Sequence, residues 1–182
     1  TNIDTLAFYT CSSLTNLLIG DGVARVGSAA FGSCNSLINV SIGKSVTNLA
    51  ASLSGLTKLL AITVDPLNPS YSSVDGVLFD KNQTTLICYP AGRAGAYAVP
   101  NTVRSIKASG FKSCSGLTGV GIPGSVTNIE ENAFNSCTSL TGAILGSGAT
   151  NIGMFAFASC SNLRGLYFQG NAPTVGTNVF LG

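Results

Sequence analysis

The chain has 182 residues, of which 45% are apolar and only 9% charged, with a net charge of +2. That length supports one domain with a core of its own. The small net charge excludes an electrostatic nucleic-acid binder, and no apolar run approaches the roughly 18 residues that a membrane-inserted helix needs. With no histidine in the chain, zinc sites of the Cys/His type and histidine-based catalytic triads are excluded.

Taken in chain order, the segments repeat. Thr1-Asn2-Ile3 matches Thr47-Asn48-Leu49, Thr127-Asn128-Ile129 and Thr150-Asn151-Ile152. The chain therefore opens in mid-motif and reads as a piece of a longer protein, with uncapped coils open to end-to-end self-association. Phe8, Phe31, Phe111, Phe134, Phe157 and Phe180 follow at intervals of 23, 80, 23, 23 and 23. Cys11, Cys34, Cys114, Cys137 and Cys160 repeat with them, and a leucine stands three residues after each: Leu14, Leu37, Leu117, Leu140 and Leu163. One such unit cannot bury its apolar side alone, whereas stacked units bury it against each other.

Within a unit, Leu37, Val40 and Ile42 alternate with polar residues as a half-buried strand does, and Val46 with Leu49 forms the opposite wall. The Ala-Phe-x-x-Cys segment turns the chain back, through a helical turn in this reading, and inserts Phe as a core plug. The third coil is irregular: Ser54 and Thr57 stand in the Phe and Cys places, and Leu59, Ile62 and Val64 run one residue early. Residues 65–96 form an insertion containing Asp75-Gly76 between apolar runs, which reads as a hairpin or a degenerate coil. Regular coils resume at Val99, Val103 and Ile106, each 23 residues before Ile122, Val126 and Ile129.

The stretch Ile-Pro-Gly-Ser-Val-Thr-Asn-Ile-Glu-Glu-Asn-Ala-Phe-Asn-Ser-Cys-Thr-Ser-Leu (Ile122 to Leu140) resembles the BspA-type leucine-rich repeats of bacterial surface proteins. Asn68-Pro69-Ser70-Tyr71, Asp75 to Phe79 and Leu86 to Pro90 are similar to an insertion found in that family. The resemblance covers essentially the whole chain. It implies an α/β class, β-rich, right-handed leucine-rich-repeat solenoid with its parallel sheet on the concave face, about seven coils of 23 residues and one irregular insertion. Residues 1–182 then form a single solenoid domain. The family brings no catalytic residues to carry over. It implies a secreted or cell-surface module for adhesion or protein binding.

The cysteine column reads as free, buried thiols packed between coils, although neighbours ~5 Å apart come within reach of disulfide geometry. Cys88 belongs to the insertion and is expected to be unpaired. Outward positions of the main sheet are Asn16, Leu18, Asn39, Ser41, Gly119, Gly121, Gly142, Ile144, Gly165 and Tyr167; an extended repeat sheet is the usual binding surface. Of these, Asn16, Leu18, Asn39, Ser41, Ile144 and Tyr167, together with Tyr71 and Tyr89, are the residues expected to contact a protein or host-surface partner, through the sheet or through the irregular insertion at residues 65–96. A second reading is a carbohydrate-binding module appended to an enzyme, in which Tyr71, Tyr89, Tyr97 and Tyr167 stack on sugar rings; a third is a structural spacer. Asp65, Asp75 and Asp80 lack any calcium-loop signature, and no base pairs with the plentiful hydroxyls. The expectation is a non-enzyme without metal or cofactor.

Overall fold

Each regular period folds as one coil, with a strand of four to six residues on one side and a two-residue strand on the other. The computed structural model describes residues 1–50 and 52–182. Its strands are β1 (Asn2–Ile3), β2 (Asn16–Ile19), β3 (Arg25–Val26), β4 (Asn39–Ile42), β5 (Asn48–Leu49), β6 (Ala61–Val64), β7 (Tyr71–Val74), β8 (Val77–Asp80) and β9 (Thr85–Cys88). After the insertion come β10 (Gly95–Ala98), β11 (Ser105–Ile106), β12 (Leu117–Ile122), β13 (Asn128–Ile129), β14 (Gly142–Leu145), β15 (Asn151–Ile152), β16 (Gly165–Phe168) and β17 (Thr174–Val175). The molecule is a parallel leucine-rich-repeat solenoid of about eight turns, one more than the seven expected.

The longer strands make the main sheet in two pieces, β2-β4-β6 and β10-β12-β14-β16. The shorter ones make β1-β3-β5 and a seven-stranded sheet β17-β15-β13-β11-β9-β8-β7. Pairing is parallel except along β9-β8-β7, and it keeps equivalent side chains in columns: Leu17↔Val40↔Ile62 in one half, Ile106↔Ile129↔Ile152 in the other. The two strand sets share one interior. Val26 and Val40 lie in the same buried cluster, as do Ile129 and Val120.

The expected helical turn, and with it the α part of the class, needs correction: no helix occurs among the described residues. The turn instead alternates in hand. Leu6, Ala29, Ser109, Asn132, Phe155 and Asn178 have φ between 49° and 60°, and Thr10, Ser33, Ser113, Ser136 and Ser159 between 57° and 62°. Left-handed residues interleaved with the rest aim alternate N–H groups at the next coil rather than back along a helix. The N–H groups of Ser109, Phe111 and Ser113 donate to the carbonyls of Glu131, Ala133 and Asn135, and the same set recurs one coil later.

The insertion is both things expected of it. β7 and β8 form an antiparallel hairpin whose two-residue loop, Asp75-Gly76, has φ of 48° and 76°, the hand that a type I′ hairpin turn requires. β9 then rejoins the solenoid parallel to β11. The run Val77-Leu78-Phe79 is apolar without alternation because both faces of β8 are covered. Val77 and Phe79 belong to the C-terminal core, Leu78 to the N-terminal one.

One polar side chain fastens this joint. Asn68 is fully buried; its Nδ2 donates to the Gly43 and Val46 carbonyls, and its Oδ1 accepts from the Ser70 and Tyr71 N–H groups.

Candidate functional site

The outward side chains of the main sheet fall into two separate groups, because the sheet breaks between β6 and β10. On the N-terminal piece, Asn39 Nδ2 donates to Asn16 Oδ1 at 3.1 Å and Thr63 Oγ1 donates to Ser41 Oγ at 3.0 Å. These polar groups satisfy one another along the sheet, and Leu18 stands beside Ser41, 76% exposed.

On the C-terminal piece two columns run across the strands. Ala96, Gly119, Gly142 and Gly165 are in register, and beside them Ala98, Gly121, Ile144 and Tyr167. A Cβ at Gly165 would come within 2.6 Å of the Tyr167 ring, so the ring leans over bare backbone. Ile144 is 48% and Tyr167 63% exposed. The result is a shallow groove of about 520 Å³, bounded by Thr118 and Thr141 on one side and by Ile144 and Tyr167 on the other. Large apolar side chains over a side-chain-free floor are dehydrated at little conformational cost when a partner covers them.

Two residues expected to contact ligand, Tyr89 and Tyr71, lie off the outer face of the main sheet. Tyr89 is 3% exposed; its ring stacks on Phe111 at 5.0 Å and lies 4.8 Å from Tyr97. It takes the Phe place of the coil that the insertion completes. The 22-residue interval to Phe111, one short of the repeat, hid this in the sequence. Tyr71 is half-buried, and its hydroxyl accepts from Leu49 N–H at 2.9 Å and reaches the Thr47 carbonyl at 3.4 Å. It closes the edge of β5 where a strand would otherwise pair.

The cysteine column has a defined job. Cys34, Cys137 and Cys160 each aim the thiol at the carbonyl of the aromatic residue one coil back, Phe8, Phe111 and Phe134, at 3.0–3.1 Å. All six cysteines are free thiols, five buried and Cys11 exposed. Burial pushes the Cys88 thiol up to about 12. Cys137 and Cys160 are also raised, first through thiol–thiol hydrogen bonds within the column and then by burial. Raised thiols are poor nucleophiles at neutral pH. The Asp80 carboxylate is likewise committed, accepting from the Thr84 hydroxyl and the Thr85 N–H.

A second concavity lies at the break between the halves. It has a volume of about 530 Å³ and is walled by Leu49, Leu53 and Ile87, with Ser52, Ser105 and the Lys107–Glu130 ion pair among its polar groups. Nothing in the repeat pattern marks it, because its walls come from segments far apart in sequence.

The coil geometry, the column of aromatic rings and the inserted hairpin decide the family. The model of the BspA type leucine rich repeat region matches six copies over residues 1–85 and 94–182. The chain belongs to this BspA-type leucine-rich-repeat family. Similar solved structures come from bacteria. A leucine-rich repeat protein from Eubacterium ventriosum superposes with a TM-score of 0.74 at 23% identity, over 96% of this chain and 58% of that one. A leucine rich cell surface protein from Faecalibacterium prausnitzii gives 0.61 at 24%, over 92% and 63%. The pneumococcal vaccine antigen PcpA gives 0.55 at 18%, over 94% and 60%. At these identities the likeness is one of fold, and this BspA-type chain spans about three-fifths of each of those proteins. No curated protein matches it in sequence.

Proposed function

We propose that this BspA-type chain is a non-catalytic binding module of a secreted or cell-surface bacterial protein, engaging a protein partner through the C-terminal piece of its main sheet. One observation carries the reading: Ile144 and Tyr167 stand side by side, both exposed, along a glycine-floored groove. Solitary exposed apolar residues are ordinary, but adjacent ones flanking a groove mark contact surfaces. Export is supported by the charge-poor composition and by relatives of this fold described as a cell surface protein and a vaccine antigen. A non-catalytic role is supported by the absence of histidine and by the structural employment of the buried thiols and of Asp80.

Of the alternatives, the carbohydrate-binding module loses its support. Sugar stacking across a face needs at least two coplanar exposed tyrosines, and Tyr71, Tyr89 and Tyr97 are engaged in packing or in closing β5. Tyr167 is left without an aromatic companion among the described residues of that face.

The test is a binding screen of the 182-residue chain against extracellular host proteins, repeated with the Ile144→Ala/Tyr167→Ala pair. The pair is expected to weaken any hit about 100-fold, since two anchor residues each contribute roughly tenfold or more. Added salt is expected to change it little, because the groove carries no charge cluster. Hits that the pair leaves intact and that salt abolishes would remove this surface from consideration.

A further inference from the structure

A strand at the edge of a sheet presents a row of backbone N–H and C=O groups ready to pair. The break between the halves leaves β5, β6 and β10 each at such an edge. Two of the three are closed by dedicated contacts. On β5 the Leu49 N–H donates to the Tyr71 hydroxyl at 2.9 Å. On β6 the Ile62 N–H donates to the Gly76 carbonyl at 2.9 Å, and the Val64 N–H to Ser73 Oγ at 3.0 Å.

The edge of β10 is open. β10 is the outermost strand of the C-terminal piece of the main sheet and pairs with β12 alone. Gly95 and Val99 donate their N–H groups to the Gly116 and Gly121 carbonyls on that side. Backbone groups alternate in direction along a strand, so Ala96 and Ala98 turn theirs toward the break. No backbone hydrogen bond outside the β10–β12 ladder reaches either alanine among the described residues. Both alanines are exposed, and a Cβ placed on Gly95 would meet nothing within 4 Å.

The place beside them is not taken by another strand. A pairing strand stands ~4.8 Å away, whereas β6, β7 and β8 keep every Cα more than 8 Å from β10. The hairpin is tethered just before β10 begins, where Arg93 Nη1 donates to the Asp75 carbonyl at 2.7 Å. The bulge in the ladder falls between Gly95 and Ala96, ahead of the open groups. Pro100, which has no N–H, ends the edge two residues after Ala98.

The open edge adjoins the groove. A strand added beside β10 continues the column of Ala98, Gly121 and Ile144 with a side chain of its own. Between that side chain and Ile144 lie two positions that carry a methyl group or nothing. Three strand spacings make about 14 Å, a span that a large aromatic side chain and Ile144 close between them.

We propose that the partner docks as an extended peptide segment that adds a strand to β10, bonded through the N–H and C=O groups of Ala96 and Ala98, with an aromatic side chain laid over Ala98 and Gly121 against Ile144. The backbone decides the class of partner. Donors and acceptors alternating at strand spacing are a pattern that a polypeptide strand repeats and that a glycan or an acyl chain does not. The proposal rests on the protein-binding reading of the same sheet and gives that partner its form.

A phage-displayed library of random ten-residue peptides, selected on the 182-residue chain, supplies the probes. Synthetic copies of the selected peptides are then titrated into the isotopically labelled chain and followed by amide exchange. In the free chain the Ala96 and Ala98 amides are expected to exchange faster than that of Tyr97, and bound peptide to slow both in proportion to occupancy. Ala98→Pro removes a donor of the open edge and none of the β12 ladder, a change that edge strands tolerate. It is expected to weaken binding about tenfold, the loss of one backbone hydrogen bond, with an unchanged circular dichroism spectrum showing that the fold is kept. Should that variant not fold, the exchange rates of the unaltered chain decide. The proposal is overturned if no peptide is selected, or if bound peptide leaves the Ala96 and Ala98 amides unprotected. Peptides that need Ile144 and Tyr167 but bind Ala98→Pro unchanged would overturn strand addition and leave the protein-binding face standing. Peptides weakened by Ala98→Pro but not by the Ile144→Ala/Tyr167→Ala pair would support strand addition and remove that face.

Discussion

The N-terminal and C-terminal halves are written in the same 23-residue pattern, yet they hold together differently. In the C-terminal half Tyr89, Phe111, Phe134, Phe157 and Phe180 form one continuous stack, with ring centroids 4.6–6.0 Å apart. In the N-terminal half the stack is a single pair, Phe8 on Phe31 at 5.5 Å. It ends where Ser54 replaces the next phenylalanine, and Leu53, Leu56 and Leu59 fill the interior instead. A column of this kind extends only while every coil supplies its member. Where one is missing, the solenoid needs another device to continue. Here the device is a hairpin whose inner strand β8 is buried on both faces, pinned by Asn68.

The largest expected effect tests the aromatic columns. Phe134→Ala should cost ~3–5 kcal/mol, the range for removing a buried aromatic side chain. Phe134 lies between two rings, whereas Phe31 touches one, so Phe31→Ala should cost about 1 kcal/mol less, the worth of one aromatic pair. Urea unfolding of the two variants measures the difference, and equal losses would show that stacking does not distinguish the halves.

Asn68→Ala should cost about 3 kcal/mol, because buried backbone groups lose their partners. It should also split one unfolding transition into two, since it weakens the joint and not the cores. A single transition would mean that the hairpin's apolar faces suffice.

Alkaline titration comes next. Cys137, Cys160 and Tyr97 in the C-terminal half, and Cys34 and Cys88 in the N-terminal core, hold their protons more tightly folded than unfolded. Their stabilising effect is therefore complete below the ordinary thiol value of 9.0 and is lost as pH rises toward the folded values, about 12 for Cys88 and for Tyr97. Amide exchange above pH 9 corrected for its intrinsic rate, or circular dichroism with urea, should show the C-terminal half loosening first.

The smallest effect concerns a feature that the halves share. Thr47 and Thr127 both hydrogen-bond through their exposed hydroxyls to a carbonyl one coil back. Alanine at either should change stability by within ~0.5 kcal/mol, and a larger loss at one alone would reveal an asymmetry of the short-strand face.

The repeat was legible because solenoid packing is a nearest-neighbour matter. Columns of Phe, Cys and Leu spaced by 23 residues announce which side chains touch, and the core positions from Phe31 to Phe157 lie where that spacing puts them. The outward places of Leu18, Ile144 and Tyr167 followed from the same alternation. The hand of the turns did not, because Ser, Asn, Leu and Phe at positive φ carry no glycine signature and are held there by bonds to the next coil. Tyr89 looked like a surface aromatic because its interval to Phe111 departs from the repeat.

The sequence alone thus determined the period, the columns, the family and the place where regularity fails. Tertiary structure decided that the main sheet divides in two, that Asn68 and the hairpin with its buried inner strand join the halves, and that a cleft opens between them. The physical reason is range: columns are set by contacts between successive coils, whereas the cleft depends on how Leu49, Ile87 and Lys107 are placed by a joint that interrupts the pattern.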